Sequence, residues 1–225
     1  MNILNHTISD KTEQIIIQMY TQFQFKIEYL VSFEETSYID IDKTSNVYKV
    51  YIRNTDNLSQ FEDELLHELG HAIQFANHII PMANRFVQND NSQILRNLEN
   101  ILFDIDVYFR LLQFGYTPLH NTLKYETYYP LLKKINKALP TLDLQNVKLW
   151  SIDFLYMYFF DSKIHCQNCL RCIDKNTYNV SKLTYKLIDY IQVKVQDKGS
   201  FPVANQSAMS ALYDELKAII GNFPN

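Results

Sequence analysis

The spacing of apolar residues changes period twice along this chain. Residues 9–21 carry Ile15, Ile16 and Met19 at helical spacing, which predicts a first helix. "FKIEYLVSF" (25–33) then concentrates β-branched and aromatic residues. "SYIDID" (37–42) and "VYKVYIRN" (47–54) alternate on either side of the turn-like "KTSN". The pattern predicts one strand plus a hairpin, a sheet of about three strands. From residue 59 the period returns to that of a helix, with Phe61, Leu65, Leu69, Ala72, Ile73 and Ala76 on one stripe. Ser59 followed by Glu62 has the form of a capping box, and Pro81 marks the end.

A second amphipathic helix is expected within 89–118. Ile94, Leu95, Leu98, Ile101, Leu102, Ile105, Phe109 and Leu112 form its apolar face, Asp90 or Asn91 is its expected cap, and Gly115 and Pro118 are its expected stops. Beyond it the pattern predicts helices over about 126–138, 143–161, 179–196 and 207–220, with a loop at 197–206. The expected fold class is therefore α+β, a small sheet of about three strands with a mostly helical C-terminal half. Residues 1–118 form the expected core, and residues 119–225 a helical lobe, either separate or part of the same domain.

Composition narrows the function classes. The 225 residues carry a net charge of −4, which argues against nucleic acid as a partner, since a phosphate-binding face needs clustered Lys and Arg. No apolar run approaches the roughly 18 residues that span a bilayer; "FLYMYFF" (154–160) reads as a buried helix segment. The N-terminus lacks the basic and apolar regions of a signal peptide, and three cysteines confined to 166–172 do not make a secreted disulfide framework. A cytoplasmic protein without a membrane partner is expected.

The stretch "LLHELGHAIQF" (65–75) carries the chemistry. On a helix His67 and His71 are one turn apart and project from the same face. Two imidazoles so placed reach one metal ion, with Zn–N near about 2.0–2.1 Å. Glu68 is rotated by about 100° from His67 and suits the role of general base towards water activated at the metal: the H-E-x-x-H arrangement. Gly70 is costly in mid-helix, which predicts close approach by another element. A catalytic zinc needs a third protein ligand. The metzincin pattern is excluded, because Gln74 and Asn77 stand where it requires Gly and His. A carboxylate from the second helix is the other common solution, with Glu99, Asp104 and Asp106 as candidates. Glu99 lies beside the apolar stripe, where a carboxylate needs either a metal or a partner such as Arg96 or Arg110.

"HELGH" at 67–71 followed by "NLENILFD" at 97–104 resembles the gluzincin zinc metallopeptidases, most of all the small ImmA/IrrE type. The resemblance covers about residues 9–113. It implies one zinc ion per chain held by His67, His71 and Glu99, with Phe103 following the third ligand, and Glu68 as base. A thermolysin-like E-x-x-x-D would require Asp at 103. The implied reaction is peptide-bond hydrolysis. Glu68 would take a proton from water attacking the carbonyl and pass it to the leaving amine. His120 and tyrosines 108, 116, 125, 128 and 129 are candidate donors to the oxyanion. Strand 47–53 is the expected sheet edge, offering backbone groups to an extended peptide or protein substrate. The rival readings are a metal-binding, peptidase-like regulatory or protein-binding module without turnover, and a metal-free helical interaction protein. The sequence does not specify an oligomeric state.

"HCQNCLRC" (165–172) has the residue types of a Cys3His metal site. Its spacing scatters the thiols if the segment is helical, because each three-residue step rotates by about −60°. Partly buried reduced thiols, with one oxidisable pair and without a second tightly bound metal, are expected; a structural zinc site and a redox function are the alternatives.

Overall fold

The computed structural model describes residues 1–24, 26–34, 36–42, 47–81, 92–118, 123–134, 143–174, 178–196 and 201–223. The expected caps Asp90 and Asn91, His120, the far end of the 126–138 helix and the start of the 197–206 loop lie outside them.

The chain is α+β, as the periodicity predicts, and divides into two compact units. One comprises Met1–Ile80 and Asp106–Leu119, the other Pro81–Ile105 and His120–Asn225. The first unit is thus discontinuous in sequence, and the stretch 81–105 groups with the C-terminal helices.

The first unit opens with a short hairpin of β1 (Asn2–Ile3) and β2 (His6–Thr7), which the apolar pattern does not announce. Helix α1 (Asp10–Phe23) follows, with Ser9 as its cap: the Ser9 hydroxyl accepts from Thr12 N–H. Ile15, Ile16 and Met19 are buried. Strands β3 (Lys26–Ser32), β4 (Tyr38–Asp42) and β5 (Val47–Arg53) form a mixed sheet in the order β3-β5-β4. The hairpin is present, β4 running antiparallel to β5 with Tyr38 opposite Tyr51. β3 pairs parallel with β5 on its other side, Lys26 opposite Val47. The expectation that 47–53 is an edge strand is therefore overturned. β5 is the inner strand because β3 pairs along the side that the hairpin with β4 leaves open, while Tyr48, Val50 and Ile52 alternate onto its buried face.

Helix α2 (Leu58–Ala76) carries the histidine motif and packs on β5 and β4. Its cap is Asn57, whose side chain accepts from Gln60 N–H, so Ser59 lies inside the first turn. Glu62, expected to close a capping box with Ser59, instead accepts from Ser9 and Thr12 and ties α2 to the start of α1. Phe61, Leu65, Leu66, Leu69 and Ile73 on α2 join Ile16, Met19, Val50, Ile52, Val107 and Leu111 in one apolar cluster.

Helix α3 (Ser92–Gln113) runs through the point where the units divide. Gly115 takes φ +75° just past its end, and Tyr116 N–H bonds back to Leu111 carbonyl, the expected C-terminal stop. The second unit contains α4 (Leu123–Lys134), α5 (Leu144–Phe160), α6 (Lys163–Asp174), α7 (Tyr178–Gln196) and α8 (Gln206–Gly221). α5 packs on α6 and α7, α4 on α6, and α8 on α7. No helix among the described residues is long and apolar enough to cross a membrane.

Candidate metal centre

His67 and His71 sit where α2 turns its polar flank away from the apolar cluster, and both are half-buried. Their Nε2 atoms are 3.2 Å apart, with the rings nearly perpendicular at 88°. A tetrahedral ion about 2.05 Å from each nitrogen holds two ligands roughly 3.3 Å apart. The pair therefore has the separation that a shared metal requires.

The approach of α3 follows from Gly70. A Cβ built there would lie 2.5 Å from Cγ1 of Val107, so the hydrogen at this position lets the two helices close. The mid-helix glycine thus marks a close approach, as its position in the sequence predicts. One polar contact crosses between the helices, Gln74 Nε2 donating to Asp106 Oδ2 at 2.8 Å, and within α3 Arg110 Nε donates to the same oxygen at 2.7 Å. All of these residues belong to the first unit.

Asp104 lies two residues before Asp106 on the unbroken helix. Its carboxylate and the two imidazoles each offer one ligand atom, all within 4.8 Å of one another. This group has the composition and spacing to hold a metal ion, two nitrogens and one oxygen. Of the three carboxylates considered from sequence, Asp104 joins the histidines and Asp106 bonds Gln74 and Arg110. Glu99 is buried, 1% exposed, and is not a member of the group. After burial itself, the charge of Glu99 is the largest influence raising the Tyr213 hydroxyl pKa. Asp104 is five positions after Glu99, a step that on a helix turns the two carboxylates about 140° apart.

Glu68 is 6% exposed, in the turn between the two histidines. The residue that periodicity did not single out is Gln74. It is fully buried and bonds the imidazole, with His71 Nδ1 2.7 Å from its Oε1. The sequence does hold a signal for it: His67, His71 and Gln74 follow one another at four and three residues, a single helix face.

Among the candidate oxyanion donors, Tyr116 donates its hydroxyl to Asp63 at 2.9 Å, and burial followed by the Asp63 charge raises its pKa. Tyr128 donates to Asp153, and Tyr125 stacks on Tyr129 and on His165.

The second cluster lies on α6. Cys166, Cys169 and Cys172 are three-residue steps along one helix, the arrangement that turns the thiols apart. Cys166 and Cys169 are fully buried, and burial pushes both thiols up to about 12. His165 Nδ1 lies 2.5 Å from Asp161 Oδ1 and its ring stacks on Tyr125 at 3.9 Å.

No protein-family profile, curated protein or solved structure matches the chain. The chemistry of the site is therefore argued from its residues.

Proposed function

We propose that the chain is a zinc-dependent metallopeptidase in which His67, His71 and Asp104 hold the metal and Glu68 acts as general base. The observation that carries the reading is the convergence of the two imidazoles, 3.2 Å apart, with a carboxylate oxygen from the neighbouring helix. Two histidines and a carboxylate are a donor set that suits zinc. A zinc ion held by His67, His71 and Asp104 would supply Lewis acidity towards a peptide carbonyl and towards water.

The remaining work falls to the chain. Glu68, on the helical turn between the ligands, accepts a proton from the attacking water and delivers it to the leaving amine. Its near-complete burial keeps the proton exchange away from bulk solvent. β5 is inner, so an extended peptide would pair along β4, the edge strand that packs beside α2. The resemblance of "HELGH" and the following helix to gluzincins supports the same reaction class.

The test begins with elemental analysis of the purified protein, expected to return about one zinc per chain. Glu68→Gln is then expected to keep zinc and fold while losing at least 10²–10⁴-fold in turnover, because an amide cannot accept the proton. Used as bait in cell extract, Glu68→Gln should retain a protein that the wild type cleaves. Zinc binding with equal capture by both forms, and cleavage by neither, would instead identify a binding module. Absence of bound metal would remove both readings.

A further inference from the structure

We infer that Gln74, Asp106 and Arg110 form a positioning relay that holds His71 with its proton on Nδ1, so that Nε2 presents its lone pair to the metal. The inference rests on the metal-site reading for its purpose, but the tautomer it assigns is a property of the metal-free chain.

The argument is one of donors and acceptors. Arg110 is a permanent cation and Nε donates to Asp106 Oδ2. The ion pair is buried, with the carboxylate side chain 0% exposed and the arginine side chain 8%. A carboxylate so paired only accepts, so the amide of Gln74 must turn its NH2 towards Asp106, as the 2.8 Å contact has it. That leaves Oε1 at the far end of the amide, facing His71 Nδ1 at 2.7 Å. An amide oxygen cannot donate. Nδ1 must therefore carry the hydrogen, and in the neutral ring Nε2 is the bare nitrogen. It is Nε2 of His71 that faces Nε2 of His67.

Without the relay, a neutral imidazole distributes its proton between two nitrogens, and the form protonated at Nε2 cannot bind through that atom. A buried glutamine with both ends bonded also fixes the ring plane, which sets the direction of the lone pair. The cost of burying Asp106 and Arg110 is offset by their mutual pairing, and neither needs to touch the metal to influence it.

The test uses the full chain with isotope-labelled imidazole nitrogens, stripped of metal with a chelator. The His71 signals are assigned by their loss in His71→Gln. Nitrogen chemical shifts report which ring atom is protonated, and Zn2+ titration reports affinity. In wild type, His71 is expected in the single Nδ1–H form. Gln74→Met keeps the side-chain length and removes the acceptor. It should mix the two tautomers and weaken zinc binding by about 10–100-fold. Asp106→Leu combined with Arg110→Met replaces the buried ion pair by apolar side chains and leaves no unpaired charge. Gln74 stays in place but loses the acceptor that orients its NH2, so this pair of changes should also mix the tautomers and weaken zinc binding. A purely packing role for Gln74 would leave the Nδ1–H form intact.

The relay is overturned if wild-type His71 carries its proton on Nε2, or if Gln74→Met leaves both readouts unchanged. A double replacement that keeps the single Nδ1–H form, in a chain that still unfolds cooperatively, also overturns it. Should Gln74→Met not fold, the double replacement decides alone, by keeping or losing the single Nδ1–H form. If wild type shows the Nδ1–H form but takes up no zinc, the peptidase reading fails while the assigned hydrogen-bond order stands.

Discussion

Gly70 and Val107 meet so closely that a methyl group on the glycine would lie 2.5 Å from the valine Cγ1. The contact is between a helix backbone and a β-branched side chain with no room to swing aside, since Val107 is fully buried. Gly70→Ala is therefore expected to destabilise the fold by about 1–3 kcal/mol, the usual cost of overpacking, despite the better helix propensity of alanine. Adding Val107→Ala should recover part of that loss. Denaturant unfolding of the single and double variants checks it. A single Gly70→Ala variant as stable as wild type would show that the helices need no such approach.

The two acidic candidates on α3 predict opposite results. Asp104→Asn should lower zinc stoichiometry or affinity, because its oxygen is within 4.8 Å of both histidine ligand atoms. Glu99→Gln should retain the metal. Zinc titration of the two variants side by side decides between them. Loss of metal on the Glu99 change alone would return the third-ligand role to Glu99, as the gluzincin resemblance implies.

The α6 thiols predict a pH dependence. Cys166 and Cys169 have pKa values raised from 9.0 to about 12 in the folded chain, by burial first and by neighbouring charge second. The unfolded thiols ionise first as pH rises. The stabilising effect is thus complete below about pH 9 and is lost progressively as pH climbs towards 12. Unfolding free energy measured across this range should fall with pH, and Cys166→Ala with Cys169→Ala should reduce the slope. The same burial predicts that the half-buried Cys172 reacts first with a thiol reagent at neutral pH. Equal rates at all three would contradict the burial.

Several elements were legible because their cause is local. Ile15, Ile16 and Met19 recur with a helical period, and α1 forms there with Ser9 as its cap. The alternation of "SYIDID" and "VYKVYIRN" produced the antiparallel pair β4 and β5. His67, Glu68 and His71 owe their relation to the geometry of one helix, which is the same wherever that helix lies. Cap choice was less secure, because Asn57 and Ser59 are both good caps. The structure selects Asn57, with Glu62 drawn away to Ser9 and Thr12 by a contact fifty residues distant.

What the sequence by itself determined is the pair of histidines with its intervening acid, and the apolar stripe that anchors the helix carrying them. Tertiary structure alone decided that β5 is inner, because pairing with β3 joins segments with no periodic signal for register. It also decided which acid on α3 faces the imidazoles. Glu99 and Asp106 lie on one side of the helix, two turns apart along its axis, and Asp104 lies on another flank. The choice among them depends on how that helix is rotated about its axis, which is set by the seating of Val107 on Gly70 and the bond from Gln74 to Asp106. Rotation of one helix against another is a property of interlocking side chains far apart in the chain, and no local pattern encodes it.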